Sequence, residues 1–128
     1  NVYGERARHV GTYAPAVSKF LKMRKEGKSL TIFGDGLQRR DFIHVSDVVD
    51  ANALIGFMEL DNWGEVYNIG FGQNWSIQEI ADTISDDQIH LSGRPGEMRE
   101  TLADIGKAKS ELTWKPKINI LDWIKTQL

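Results

Sequence analysis

Residues 30–45, with the sequence LTIFGDGLQRRDFIHV, constrain the fold of this chain more than any other stretch. Two short runs rich in β-branched and aromatic residues flank Gly34, Asp35 and Gly36, and glycines readily supply the positive φ angles of a tight turn. This pattern predicts a strand, a turn and a second strand. An exposed hairpin with solvated charges is an alternative interpretation of the same residues.

Two arginines, Arg39 and Arg40, follow the turn where the second strand begins. Side chains alternate along a strand, so only one of the two can face a given side. We therefore expect one arginine to be available to a ligand while its neighbour meets solvent or an acidic side chain. A guanidinium beside a glycine-rich turn suits a phosphate, because its planar fork matches two phosphate oxygens.

The composition indicates one globular domain. The chain has 128 residues, of which 41% are hydrophobic and 27% charged, and this length is enough to bury a core. No apolar run approaches the roughly 20 residues that span a bilayer, and the first residues do not resemble a signal peptide. The absence of cysteine excludes disulfides and fits a reducing compartment. We expect a soluble, cytoplasmic protein that does not contact a membrane.

Positive charge is concentrated in the first quarter of the sequence. Residues 1–30 contain seven Lys or Arg and two Glu, although the net charge of the whole chain is −2. A basic segment of this kind suits nucleic acid or a phosphorylated small molecule. Nucleic-acid binding is not expected, because the basic residues show no aromatic interleaving and no zinc-finger or RNP motif accompanies them.

The residues on either side of the central stretch carry helix signals. Pro15 suits the first turn of a helix, and Val17, Phe20 and Leu21 recur at helical spacing, with Gly27 as a stop. A first helix is therefore predicted between Pro15 and Gly27.

A second helix is predicted from Asp47 to Leu60, with Ser46 as its N-terminal cap. Its sequence is apolar almost all round, so we expect it to be buried on more than one side. In this interpretation Phe57 and Met58 belong to the core.

The rest of the chain continues the alternation of predicted strands and helices. We predict a loop over 61–64 and then a strand over 65–69, which would complete a right-handed parallel crossover. Ser76 and Glu79 form the capping-box pattern that begins a third helix. Further predicted elements are a strand at 88–91, a helix from Asp104 to Leu112 and an amphipathic segment from Asn119 to Leu128. The sequence thus predicts one small α/β domain of alternating strands and helices.

The sequence contains no familiar catalytic motif. Its three histidines lack a partner at the spacing of a zinc pair, and His44 is expected to be buried and bonded to the backbone. There is no nucleophile elbow and no Walker motif, and both Gly-x-Gly pairs lack the third glycine of a dinucleotide fingerprint. Arginine does recur near glycine, at Arg40 and Arg94. This pattern suggests that the two converge on one diphosphate and bind it without reaction.

Five motifs occur in the order and spacing of a known family. They are Asn1-Val2-Tyr3-Gly4, Leu30 to Gly36, Gln38 to Val45, Tyr67-Asn68-Ile69-Gly70 and Arg94-Pro95-Gly96-Glu97. Together they resemble the C-terminal part of NAD-dependent nucleotide-sugar epimerases and dehydratases. These are extended short-chain dehydrogenase/reductases, and the closest resemblance is to UDP-glucose 4-epimerase-like members. The resemblance covers essentially the whole chain.

The resemblance implies that residues 1–128 are the nucleotide-sugar-binding C-terminal domain of a Rossmann-type two-domain enzyme. In the family, an N-terminal Rossmann half binds NAD and carries a Tyr-x-x-x-Lys pair, which this sequence lacks. The chain would then be a catalytically incomplete part of an epimerase or dehydratase, with no NAD of its own, and both of its ends are expected to be cuts. The alternative is a free-standing, non-catalytic module that binds nucleotide sugars or other phosphorylated ligands.

The family's substrate-binding residues can be carried over by position. Asn1 resembles an asparagine that hydrogen-bonds the substrate near its diphosphate. Leu30, Ile32 and Phe33 resemble the strand that lies along the nucleotide base, through main-chain groups and apolar contact.

The charged residues of the implied site are Arg40, Arg94 and Glu97. The two arginines are similar to those that bind the diphosphate in the family. Glu97 takes the place of an acid, usually aspartate, that accepts from the ribose hydroxyls. The implied ligand is a UDP- or dTDP-sugar, and the surface that the Rossmann half covers in the family is expected to promote self-association.

Overall fold

The computed structural model describes residues 1–11, 14–58 and 64–128. Short strands and helices follow one another along these residues, so the predicted α/β class is confirmed. The elements are β1 (Val2–Tyr3), α1 (Ala16–Lys25), β2 (Leu30–Phe33), β3 (Arg39–Asp41), β4 (Ile43–His44), α2 (Val45–Phe57), β5 (Asn74–Ser76), α3 (Ile77–Ile84), β6 (Gln88–Leu91), α4 (Gly106–Glu111) and α5 (Ile120–Lys125).

The strands of the described residues form two-stranded sheets. β1 pairs in parallel with β4, β2 in parallel with β6, and β3 antiparallel with β5. The predicted strand, turn and strand of the central stretch are confirmed, and Gly34 and Gly36 adopt φ angles of 73° and 74°. The hairpin alternative is wrong, because β2 and β3 pair with different strands. β2 is in register with β6 along its whole length.

The larger core lies where α1 and α3 pack against β2. Leu30 and Ile32 of β2 are 0% exposed, because alternation along the strand turns both side chains toward the helices. The first predicted helix is confirmed, with Val17 and Phe20 buried in this core and Leu21 partly buried.

The capping box that begins α3 is confirmed in full. Ser76 Oγ accepts a hydrogen bond from the Glu79 amide at 3.0 Å, and Glu79 Oε2 accepts one from the Ser76 amide at 2.7 Å. The backbone bond lowers the pKa of Glu79 below its ordinary value. The apolar stripe of α3 is buried as predicted, at Ile77, Ile80, Ala81 and Ile84.

α2 differs from the prediction at its start and on its outer face. His44 caps the helix, since its Nδ1 accepts from the Ser46 amide at 3.2 Å, and Ser46 lies inside the first turn. The prediction that Phe57 is core is wrong: its side chain is 91% exposed. Only one face of α2 has a neighbour in the described residues, and Met58 packs there with the smaller core. The predicted helix end at Leu60 lies outside the described residues.

The strand predicted over residues 65–69 does not form. No strand of the described chain pairs with these residues, and they follow an irregular path. Tyr67 instead donates its hydroxyl to Glu111 at 2.9 Å. The predicted parallel crossover through α2 is therefore wrong. Most of the predicted loop at 61–64 lies outside the described residues.

The C-terminal helices begin close to their predicted caps. α4 starts at Gly106, and the Asp104 carboxylate accepts from the Gly106 amide at 2.9 Å. Asn119 caps α5 as predicted, with its Oδ1 accepting from the Leu121 amide at 2.9 Å. Leu128 lies beyond α5 and is 51% exposed.

Two buried carboxylates join segments that are far apart in sequence. Asp41 is 7% exposed and accepts from the amides of Phe71, Gly72 and Ala103, at 2.7, 2.9 and 3.2 Å. Asp47, at the start of α2, is 1% exposed. It accepts from the amides of Lys117 and Ile118, at 3.0 and 3.1 Å.

Candidate anion-binding cleft

A cleft of about 500 Å³ lies between α1, β2 and the loop that follows β6. Apolar side chains, basic side chains and the carboxylates of Glu26 and Glu97 line it, and Glu26 pairs with Lys28 at 2.8 Å. The basic side chains outnumber the acidic ones, which favours an anionic ligand. Residues that line it include Lys19, Lys28, Thr31, Phe33, Gln38 and Arg94.

Alternation along β2 decides which of its side chains reach the cleft. Thr31 and Phe33 line the cleft, whereas Leu30 and Ile32 are fully buried in the core. The side chains of Leu30 and Ile32 are therefore not available to a ligand there. Their predicted contact with a nucleotide base through the main chain stays a prediction.

Sequence reasoning missed Thr31 and Gln38 as residues of the cleft. The apolar residues 30 and 32 face the core, and the period of two along a strand would have placed Thr31 on the opposite face. Gln38 is 6% exposed and donates its side-chain amide to the Phe33 carbonyl at 2.9 Å, across the glycine turn. No sequence signal marks that contact, because it depends on how tightly the turn closes.

The two neighbouring arginines face opposite sides of β3, as predicted. Arg39 donates to the Asn74 side chain at 2.8 Å and pairs with Glu79 at 3.1 Å. Arg40 turns the other way, and its Nη2 lies 3.6 Å from Glu97 Oε1. Arg39 therefore connects β3 to β5 and α3, whereas Arg40 faces the loop that follows β6.

Arg94 and Glu97 both line the cleft beside Phe33. The guanidinium carbon of Arg94 lies 3.9 Å from the centroid of the Phe33 ring, within the range of a cation–π contact. Glu97 contacts Arg40 from the same loop. Glu97 thus links Arg40 to the cleft that Arg94 and Phe33 line, although Arg40 is not itself among the lining residues.

A smaller cavity of about 290 Å³ adjoins the cleft beyond Phe33. Asp35 and Arg99 stand at its edge and form a paired contact, with Arg99 Nη1 at 2.9 and 3.0 Å from the two carboxylate oxygens. The Arg99 guanidinium lowers the pKa of Asp35 below its ordinary value. This pair fastens the glycine turn to the end of the loop after β6.

Asn1 is not among the residues that line either cavity. Its side chain is exposed, and its carbonyl accepts from the Ile43 amide at 3.1 Å, beside β4. The role of Asn1 near a diphosphate stays a prediction, and Asn1 is not part of the cleft.

The histidines and acids of the described residues offer no metal centre, since no three of the usual ligand side chains come together. His44 is 3% exposed and bonded to the backbone, as predicted. Within the described ranges, no helix has the length and apolarity to cross a membrane.

Neither glycine turn of the described residues has the form of a dinucleotide site. A dinucleotide site places the pyrophosphate at the N-terminus of a helix that opens directly from a glycine-rich turn. The turn at Gly34–Gly36 leads into β3, and the one at Gly70–Gly72 leads into β5. Neither turn opens a helix.

The fold and the cleft together define a small α/β domain with basic and aromatic side chains at one cleft. The model of the NAD dependent epimerase/dehydratase family matches residues 1–70. A curated UDP-glucuronate 4-epimerase of Thermodesulfobacterium geofontis is 32% identical over 92% of the chain and 40% of its own length. The chain belongs to the NAD-dependent epimerase/dehydratase family.

Solved structures are similar to this chain over nearly its whole length. A Thermotoga maritima UDP-glucose 4-epimerase with UDP-glucose has a TM-score of 0.87 and 33% identity, covering 99% of this chain and 42% of that one. A Bacillus cereus UDP-glucuronic acid 4-epimerase with UDP-glucuronic acid and NAD has a TM-score of 0.86 and 33% identity, covering 98% and 41%. The chain spans about two fifths of the length of the curated relatives that it matches.

Proposed function

We propose that residues 1–128 form the nucleotide-sugar-binding part of an NAD-dependent epimerase or dehydratase and are catalytically incomplete alone. The observation that carries this proposal is the contact of Arg94 with Phe33 in the cleft, together with Glu97, which lines the same cleft and contacts Arg40. Arg40 contacts Glu97, and Glu97 lines the cleft with Arg94. A diphosphate in this cleft would meet the Arg94 guanidinium, which rests on the Phe33 ring, and Arg40 would become a second partner once the Glu97 side chain turns aside.

The energy available from this arrangement is sufficient to hold a nucleotide. A diphosphate carries about two negative charges, and a hydrogen bond to a charged group contributes about 1.5 to 3 kcal/mol. The Arg40 side chain is only 14% exposed, so solvent screens its charge weakly. Binding energy from a nucleotide can hold a remote sugar in register for reaction elsewhere.

The relatives support a UDP-sugar as the ligand, with a dTDP-sugar as the related choice. Of the two solved structures described above, one contains UDP-glucose and the other contains UDP-glucuronic acid and NAD. We propose that NAD and the catalytic groups belong to the part of the family fold that this chain does not cover. We also propose the cytoplasm as the compartment, on the basis of the cysteine-free sequence.

Replacing Arg40 or Arg94 with alanine is expected to weaken binding of UDP-glucose by about tenfold to a hundredfold. This corresponds to the loss of one charge-assisted hydrogen bond to the diphosphate. Isothermal titration calorimetry of the 128-residue chain with UDP-glucose and with UMP measures the effect.

Arg24→Ala is the matched control, because Arg24 is an exposed arginine in the last turn of α1 and does not line the cleft. It should bind both nucleotides like the wild type. The proposal is wrong if neither nucleotide produces heat, or if the alanine variants at positions 40 and 94 bind like Arg24→Ala.

We also propose that a second copy of the chain covers the apolar surface around the start of α2. Val45 and Val49 lie one turn apart there and are 42% and 58% exposed, and Val2 of the adjacent β1 is 47% exposed. Clustered apolar surface of this kind favours association.

Sedimentation velocity should show concentration-dependent association that Val49→Lys reduces and that Leu128→Lys, at the exposed C-terminus, does not. A monomer at every concentration would contradict this proposal.

A further inference from the structure

β6 is an edge strand, with β2 paired on one side and no strand of the described residues on the other. The Gly34 amide donates to the Leu91 carbonyl at 2.9 Å, so the main-chain groups of Leu91 face β2. In a parallel pair, every second residue turns its main-chain groups toward the neighbouring strand. The N–H and C=O groups of Gln88 and His90 therefore point away from β2, and the described backbone hydrogen bonds do not reach them.

The two faces of β6 differ in character. Gln88 lies on the side of α3, where its side-chain amide donates to Asp82 at 2.9 Å. Ile89 and Leu91 lie on the opposite face, beside the β2 residues that line the cleft, and they are 46% and 47% exposed. β6 thus combines unpaired main-chain groups with two exposed apolar side chains. An edge of this kind favours pairing with another strand.

Charge is distributed unevenly along this part of the chain. Asp86 and Asp87 lie just before β6, and Arg94 follows it; all three are exposed. A second β6 in antiparallel orientation brings the acidic end of one copy beside the basic end of the other. A parallel copy would instead place acid beside acid, and like charges that face each other across two strands are destabilising. The charges therefore make the edge complementary to itself in the antiparallel orientation.

Side-chain matching selects the register of such a pair. When His90 lies opposite His90 of a second copy, the outward main-chain groups of the two strands face each other as hydrogen-bonded pairs. Ile89 then lies opposite Leu91 of the second copy, and this apolar pair occurs twice. A shift by two residues would place Asp87 opposite Leu91, an acid against an apolar side chain. The register about His90 is therefore favoured.

We propose that β6 is an interaction surface for a second copy of this chain, in which the two β6 strands pair antiparallel about His90. The pairing joins two sheets of two strands into one sheet in the order β2, β6, β6, β2. The same residues contribute from both copies, so the contact closes as a dimer. A four-residue edge buries far less than the about 1,600 Å² of a standard interface, so this dimer is weak and transient. It is separate from the apolar surface around the start of α2.

Disulfide trapping suits a transient contact, and the chain contains no cysteine of its own. The Cα atoms of facing, non-hydrogen-bonded residues lie about 4.5 Å apart, within the range of about 4.4 to 6.8 Å that a disulfide spans. Diagonal neighbours lie about 7 to 8 Å apart. A cysteine at position 89 should therefore bond to a cysteine at position 91 of the second copy in preference to its own equivalent.

The experiment mixes equal amounts of Ile89→Cys and Leu91→Cys chains, one of them labelled with ¹⁵N, and oxidises them mildly with diamide. Both carry Val49→Lys, which removes the association proposed for the α2 surface. Mass spectrometry of the unreduced protein then separates the mixed dimer from the two homodimers. The mixed dimer is expected to form at least about fivefold faster than either homodimer. Far-UV circular dichroism checks that each variant is folded.

Leu128→Cys is the matched control, because Leu128 is 51% exposed and lies beyond α5. It should form dimers only at the rate of random collision. Adding Asp86→Lys to both cysteine variants should slow the mixed dimer by about twofold to fivefold, as expected for the loss of an exposed charge pair.

Three results would overturn the proposal. The first is a mixed dimer that takes no more than the share that random pairing gives. The second is a homodimer of Ile89→Cys that forms faster than the mixed dimer, since this would place the strands in a different register. The third is cross-linking of Leu128→Cys at the same rate as the mixture.

Discussion

Replacing Asp41 with alanine is expected to lower the free energy of unfolding by about 3 to 5 kcal/mol, the largest effect of any single substitution proposed for this chain. The Asp41 carboxylate accepts three backbone amides, from Phe71, Gly72 and Ala103. Alanine leaves all three amides without an acceptor in a place that water reaches poorly, since Asp41 is 7% exposed. Chemical denaturation followed by circular dichroism measures the loss.

Asp86→Ala serves as the control for this change. Asp86 is exposed on the segment between α3 and β6, and surface substitutions usually alter stability by no more than about 0.5 kcal/mol. Equal stability of the Asp41 and Asp86 variants would show that the three amide contacts do not hold these segments together. Asp41→Asn is also expected to be destabilising, because the asparagine side chain has one acceptor oxygen in place of the two oxygens of the carboxylate.

Replacing Asp47 with alanine is expected to cost about 3 kcal/mol of stability and to loosen the C-terminal segment. The carboxylate is 1% exposed and binds the amides of Lys117 and Ile118, which precede α5. The neighbouring Tyr3 hydroxyl donates to the Ile118 carbonyl at 2.8 Å, and burial, together with the Asp47 charge, raises the pKa of Tyr3 above its ordinary value. Hydrogen exchange should therefore show faster exchange at residues 117–125 in the variant.

Asp50 provides a closely matched comparison for Asp47. It lies one turn along the same helix and contacts the Lys117 side chain at 2.7 Å, but both partners are largely exposed. Exposed ion pairs contribute about 0 to 1 kcal/mol, so Asp50→Ala should unfold close to the wild type. If Asp47→Ala were as stable as Asp50→Ala, the buried carboxylate could not be the link between α2 and the C-terminal segment.

Local signals in the sequence predicted the elements whose structure depends on near neighbours. The capping box at Ser76 and Glu79 concerns four consecutive residues, and it forms as expected. The alternation of Arg39 and Arg40 follows from strand geometry alone, and it is also confirmed. These features require no knowledge of distant parts of the chain.

Features that depend on a distant partner were not predictable. β2 pairs with β6 and β3 with β5, although β2 and β3 are neighbours in sequence. Residues 65–69 carry a strand-like pattern but pair with no strand of the described chain. The exposure of Phe57 depends on which surfaces lie against α2, and an apolar helical pattern does not identify them.

The candidate site also contains features that the sequence predicted and features that required the fold. The motifs around Arg40 and Arg94 singled out both residues from the sequence. The fold was needed to show that Glu97 lies against Arg40, that Arg94 covers Phe33 and that Thr31 lines the cleft. Asn1 lies beside β4 and does not line the cleft, so its role stays a prediction.

β2 belongs to the hydrophobic interior through Leu30 and Ile32 and to the cleft through Thr31 and Phe33. Four residues of one strand therefore couple the packing of the core to the shape of the cleft. If the cleft binds a nucleotide as proposed, a cavity made beneath the strand, for example by shortening Ile32, would move the wall of the cleft, so affinity would fall although the Ile32 side chain does not face the ligand. Conversely, an occupied cleft resists melting of that interior, and the midpoint of thermal unfolding becomes a direct gauge of ligand occupancy.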